Sequence, residues 1–214
     1  MPVYGEHAIT DASFAQIDRE IGAHGFTDAE YAVVRRVIHT TADFEFKQLI
    51  QFGDEPIEAA DQALRQGQPV ITDVSMVAAG ITTVMAKTWQ SPVAVAVQCA
   101  DPGFPGMNRG LNTGQTRSAK GMQVCASKYP TRAIFAVGNA PTALLALCEG
   151  IAKGKWQPAV VIGTPVGFIN VVESKQALAA LAVPHILVAG RKGGSAVAAA
   201  ILNALMIGAW ERSP

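Results

Sequence analysis

With 214 residues, 22.4 kDa and half of its side chains apolar, the chain can bury one full core, whereas two domains would each be small; a single domain spanning 1–214 is expected. The formal net charge is zero, yet residues 1–60 hold 11 acidic and 4 basic side chains against 6 and 13 in the remainder. The later cations are scattered beside glycines and small polar residues, which argues against a nucleic-acid stripe and leaves two readings, solvated helix faces or anchors for an anionic small molecule.

Taken in order, residues 10–22 place Phe14, Ile17 and Ile21 at i, i+3 and i+7 behind a Thr10 or Asp11 cap, which predicts an amphipathic helix. Thr27-Asp28-Ala29-Glu30 has the capping-box arrangement and opens a second helix through Tyr31, Val34 and Ile38. These two helices, at about 10–39, precede the repeating pattern and are expected over its edge. Near the end of the second stands His39, able to exchange a proton near neutral pH, whereas Arg35 and Arg36 keep theirs. A neighbouring arginine would favour the neutral imidazole and an anionic ligand the imidazolium; the ordinary alternative is a hydrogen-bonded structural histidine.

Phe46–Phe52 reads as the first strand, and Pro56 starts a helix through Ile57, Ala60 and Leu64 that Gly67 ends. The apolar strand Val70–Thr72 follows, with Asp73 at its carboxyl end, which in an open parallel sheet faces the ligand crevice. Asp73 is suited to orient a base or hold a substrate nitrogen, and equally to cap Val74 onward. Within Val74–Lys87, Gly80 interrupts helical continuity and marks either a close substrate approach or a simple break. Val93–Val97 is the next strand, and Gln98–Gln115, rich in glycine with two prolines, reads as a lid or binding loop. Thr116-Arg117-Ser118-Ala119 begins another helix, with Met122 and Cys125 on one face; Arg117 at its start suits a carboxylate or phosphate, an unengaged surface arginine being the alternative.

From Ala133 to Ser174 the pattern repeats. Ile134–Val137 stops at Gly138-Asn139-Ala140-Pro141, a helical segment follows, and Ala159–Ile162 stops at Gly163-Thr164-Pro165. Each half reads as buried strand, turn and helix of a parallel α/β layer, which makes the turns the expected working parts. Ile186–Ala189 is the last strand, and Gly190-Arg191-Lys192-Gly193-Gly194-Ser195 leads into a helix over Ala196–Met206. This loop is like a phosphate cradle but lacks the GxxxxGK[ST] spacing, and no GxGxxG occurs, which speaks against nucleotide binding. Cys99, Cys125 and Cys148 show no metal-ligand spacing and leave an odd thiol, so a reducing cytoplasm is expected. No apolar run approaches roughly 18 residues, and MPVYGEHAIT carries no basic region followed by an apolar core, so neither membrane spanning nor export is expected.

With these features in view, the sequence resembles the precorrin-8X methylmutase family of corrin (cobalamin) biosynthesis. The resemblance rests on Val37–Thr40, Asp73–Ile81 (DVSMVAAGI), Thr116–Ala119, Ala136–Leu144 (AVGNAPTAL), Val161–Lys175 (VIGTPVGFINVVESK) and Gly190–Ala200, and it spans about Tyr31 to Leu205. It implies a single three-layer α/β/α domain of flavodoxin-like type with a mainly parallel sheet, commonly a homodimer, using no metal or organic cofactor. It further implies an isomerase that moves a methyl group from C11 to C12 of precorrin-8X or cobalt-precorrin-8, giving hydrogenobyrinate or cobyrinate. The family's catalytic histidine falls on His39 and its substrate-binding arginine on Arg117. Asp73, Ser75, Gly80, Asn139, Pro141, Thr164, Gly167, Arg191, Lys192 and Ser195 are the further substrate-binding candidates. The partners so implied are a tetrapyrrole, a second copy of the chain, and transient neighbours in the pathway, with neither nucleic acid nor membrane. Two departures stand out: many relatives follow the histidine with Ala-Cys-Gly where this chain has Thr40-Thr41-Ala42, and many carry arginine at Ser75. They motivate a rival, a tetrapyrrole-binding or product-sequestering module without turnover.

Overall fold

The computed structural model describes residues 4–100 and 115–213. Helices α1 (Ala8–Glu20) and α2 (Asp28–Thr41) come first, then a single turn α3 (Phe46–Leu49), strand β1 (Ile50–Gly53) and α4 (Pro56–Arg65). Next are β2 (Val70–Thr72), α5 (Ser75–Lys87), β3 (Val93–Val95), a second single turn α6 (Ala96–Cys99) and α7 (Arg117–Lys128). The chain continues through β4 (Ile134–Val137), α8 (Pro141–Ala152), β5 (Val160–Gly163), α9 (Val171–Ala179), β6 (His185–Val188) and α10 (Ser195–Glu211).

The strands form one sheet in the order β1-β6-β5-β4-β2-β3, with β1 antiparallel to β6 and every other pair parallel. Leaving β1 aside, the parallel strands stand in the order second, first, third, fourth, fifth, which is the flavodoxin arrangement; its switch point lies between β2 and β4. Period-two alternation sends Ile134, Ala136, Val160, Ile162, Ile186 and Val188 to one core and Phe135, Val137, Val161 and Leu187 to the other. The first core is closed by α1, α2, α4, α5 and α10, the second by α6 to α9. Strands buried on both faces explain the near-continuous apolar runs, and each fully buried Ile or Phe in them contributes about 1.5–3 kcal/mol.

Several expected boundaries move, each for a local reason. The capping box at Thr27 and Glu30 forms, but the first helix starts earlier, at Ala8, because the His7 side chain accepts a hydrogen bond from the Ile9 amide. Phe46–Leu49 is a helical turn rather than strand: Asp43 accepts from the Glu45 amide and turns the chain there, which leaves only Ile50–Gly53 to pair. Val93–Val97 likewise keeps three strand residues before its backbone bends into α6, where the Val97 amide donates to Asp73 carbonyl. Gly80 breaks nothing, for α5 runs unbroken from Ser75 to Lys87. A methyl group there would stand 2.7 Å from the Ala199 methyl, so this glycine serves the close approach of α5 and α10. Of the two N-terminal helices, α2 packs along α10 within the first core and α1 packs on α2, while Phe26 between them meets Phe52 of the edge strand β1. The lid or binding loop expected over Gln98–Gln115 falls outside the described residues except at its ends.

Candidate functional site

Register brings the carboxyl ends of the parallel strands to one line, Thr72 beside Ala136, Val137 beside Gly163, and Gly163 beside Leu187. Asp73 leaves β2 at the switch point, fully buried, and its carboxylate accepts hydrogen bonds from the amides of Gly138 (3.0 Å), Asn139 (2.8 Å) and Ala140 (2.8 Å). Burial holds this carboxyl above its ordinary value, and the amides of Ala140, Gly138, Asn139 and Val74 offset only part of that rise. These bonds make the side chain a tie between the turn after β4 and the end of β2. Asn139 is thereby presented on the surface of the crevice, and Pro141 opens α8 beside it.

The two glycine loops are joined to each other and to that turn. The Gly194 amide donates to the Thr164 carbonyl at 2.8 Å, and the Gly167 amide reaches the Arg191 carbonyl at 3.4 Å. Gly193, at φ +148, passes so near that a Cβ would lie 2.3 Å from the Thr164 oxygen, so only glycine fits. The Ser195 backbone stands within 2.8 Å of where a Gly138 side chain would begin, which seats the start of α10 on the end of β4. Thr164 is buried, and its hydroxyl has no hydrogen-bond partner among the described residues. Beneath the last loop, buried Lys175 donates to the carbonyls of Gly190 (2.8 Å) and Lys192 (2.7 Å), and desolvation holds its ammonium down at about 8.

His39 reaches the same end of the sheet by another route. Because β1 runs antiparallel, its start at Ile50 pairs with Val188 at the end of β6, so the chain from α2 into α3 crosses the crevice end. There the Lys192 ammonium bonds Asp43 (2.5 Å) and Glu45 (2.7 Å), fastening the last glycine loop to the segment just after α2. Those contacts hold the Asp43 carboxyl below and the Lys192 ammonium above their ordinary values. His39 Nδ1 lies 2.7 Å from Ser13 Oγ on α1, and its ring meets Phe14 edge-on. Nε2 has no hydrogen bond among the described residues. Arg35 and Arg36 turn away, over the Phe14 ring and toward Asp18 and Glu6.

The family model for precorrin-8X methylmutase matches residues 8–207. The chain belongs to that family. As a precorrin-8X methylmutase family member it is an isomerase of corrin biosynthesis. It is 45% identical to a cobalt-precorrin-8 methylmutase of Synechocystis, over 96% of this chain and 97% of that one, and 42% identical to a cobalt-precorrin-8 methylmutase of Priestia megaterium, over 93% and 86%. A solved precorrin-8X methyl mutase from Thermus thermophilus superposes with TM-score 0.85 at 39% identity, covering 96% of this chain and 98% of that one.

In this methylmutase the candidate residues fall into three places. Asp73, Asn139, Pro141, Thr164, Gly167, Arg191, Lys192 and Ser195 share the crevice. Arg117 opens α7, on the opposite face of the sheet from α2 and His39; Thr116 at its cap hydrogen-bonds Thr142 in the first turn of α8 (2.7 Å), which sets Arg117 beside the Asn139–Pro141 turn. Ser75, where many relatives carry arginine, accepts from the Gln98 amide (3.0 Å), and Gly80 lies apart, against α10. Around the rim Met76, Val166, Phe168 and Ile169 are exposed, Phe168 by 85%, and Arg191 lies over the Phe168 ring, whereas Val77 is core. Sequence reasoning missed Ser13, which no local spacing ties to His39. It also missed Lys175, although a lysine on the apolar face of Val171, Ser174 and Leu178 was a legible signal. Among the described residues no three His, Cys, Asp or Glu side chains cluster as ligands for a metal ion, and no helix is long and apolar enough to cross a membrane.

Proposed function

We propose that this enzyme moves the methyl group from C11 to C12 of precorrin-8X or its cobalt form, with His39 as the proton donor. The observation carrying this reading is the family match over residues 8–207, a span that includes His39 and the crevice turns. The names of the Synechocystis and Priestia relatives favour the cobalt form as substrate. Methyl migration round a conjugated macrocycle calls for no external methyl donor, but a proton placed on the ring redistributes its π electrons and lowers the barrier. As imidazolium, His39 donates Nδ1–H to Ser13 Oγ and keeps Nε2–H for the substrate. The substrate's carboxylates sustain that charge, and Arg117 and Arg191 anchor them. Lys192, already shared between Asp43 and Glu45, works mainly by holding the loop. The exposed apolar rim supplies contact for a broad flat ring, and a ligand touching both His39 and Arg117 must lie across the sheet end, as a macrocycle does.

A homodimer is part of this proposal. Among the described residues β3 pairs only with β2, and its outer side borders an apolar cavity of about 420 Å³ lined by Ala78, Ala79, Met85, Val93 and Val95, which a second copy would cover. The three free cysteines support a place in the cytoplasm. The reading is tested by anaerobic incubation with precorrin-8X and with cobalt-precorrin-8 separately. A changed absorption spectrum at unchanged mass, with no methyl donor added, is expected; binding without conversion would instead favour the sequestering module.

A further inference from the structure

Outside the crevice, the sharpest unassigned chemistry is a pair of thiols between α6 and α7. These elements pack closely: a Cβ on Gly121 of α7 would lie 1.9 Å from the Ala96 carbonyl oxygen of α6, so the two backbones meet there with nothing between. One turn further along each, at i+3 from Ala96 and i+4 from Gly121, stand Cys99 and Cys125, on the same faces as that contact. Both side chains therefore border the one contact between α6 and α7. Cys99 is exposed, and Cys125 is buried at 1%. Cys148 is also buried, and burial lifts its thiol to about 12.

We propose that Cys99 and Cys125 form a reversible redox modification site, closing to an intramolecular disulfide with hydrogen peroxide as oxidant. The exposed Cys99 acts first. Its thiolate sulfur attacks one peroxide oxygen, the O–O bond breaks, hydroxide leaves, and the released thiol proton makes it water, leaving Cys99 as sulfenic acid. The Cys125 sulfur then attacks the Cys99 sulfur; the S–O bond breaks and the departing hydroxide takes the Cys125 proton as a second water. Two thiols are oxidised and one peroxide is reduced to two waters. The asymmetry of the pair fixes the order. Cys99 is exposed and meets peroxide first, whereas Cys125 is buried behind it, and burial pushes its thiol up to about 12. This inference does not depend on the methylmutase reading.

The test treats the full folded chain with hydrogen peroxide, unfolds it, alkylates the remaining thiols and maps the peptides by mass. A Cys99–Cys125 linkage lacking two hydrogens, with Cys148 alkylated, is expected, and dithiothreitol should abolish it. In Cys125→Ala, dimedone should trap Cys99 as sulfenic acid; in Cys99→Ser, Cys125 should remain alkylatable. Recovery of Cys99 as sulfinic acid with Cys125 still alkylatable in the wild type, or pairing of either with Cys148, would overturn the proposal. The wild-type map decides even if a variant fails to fold.

Discussion

A proton donor needs a fixed ring as well as a proton, and at the residue scale the Ser13–His39 contact provides it. Replacing His39 by Ala should leave tetrapyrrole binding in place and lower kcat by about 10²–10⁴, the usual share of a positioned acid, measured as turnover beside a spectroscopic binding titration. Ser13→Ala, which removes one hydrogen bond of about 0.5–1.5 kcal/mol, should lower kcat by roughly 2–10-fold and leave the fold unchanged. Lys175 makes a different prediction, in stability. Its native pKa of about 8 lies below the ordinary 10.5, so the unfolded chain binds more protons between those values. Stability therefore rises with pH across that window, and the burial penalty is complete below it. Relative to Lys175→Met, the wild type should gain up to about 3 kcal/mol from pH 8 to 10.5 in denaturant titrations; parallel curves for the two proteins would refute the charged, buried lysine.

At the scale of elements, the end of α2 shows what a family departure means physically. Ala42 caps that helix in the left-handed region, φ 52, ψ 32, at the position where many relatives carry glycine. A Cβ is unfavourable there, so Ala42→Gly should raise stability by about 1 kcal/mol, seen as a higher denaturation midpoint with unchanged m-value. The same variant bears on function, since α2 holds His39 three residues earlier: unchanged kcat would show that Ala42 affects the cap and not the acid. Ser75 is the other departure. With Gln98 donating to its hydroxyl, the start of α5 carries small polar groups in place of a cation, and under the proposed function the anchoring of anionic side chains rests on Arg117 and Arg191.

For the whole molecule, the side of β3 that pairs with no strand among the described residues carries the dimer expectation. Val93 is 40% exposed on that edge, and a charge there would be buried by a second copy. Val93→Lys should convert a dimer to a monomer in sedimentation or light scattering without loss of helix content; a wild-type monomer, or a dimer indifferent to the change, would place the interface elsewhere or remove it.

Composition and period alone determined the α/β class, the buried parallel strands and the crevice turns, because strands covered on both faces must be apolar throughout and must end in polar, glycine-rich turns. Family-specific stretches added His39 and Arg117. Only the tertiary structure decided the uses of particular side chains. Asp73, read as facing a ligand or capping Val74 onward, accepts from three amides far along the chain; Gly80, read as a close substrate approach or a break, lies against α10 in an unbroken helix; Ser13 and Lys175 gain their partners from elements 26 and 15 to 17 residues away. A hydrogen bond depends on an approach of about 3 Å, and no local spacing encodes such an approach between separate elements. Sheet order and helix packing do, and they assemble the crevice from turns that the sequence lists one at a time.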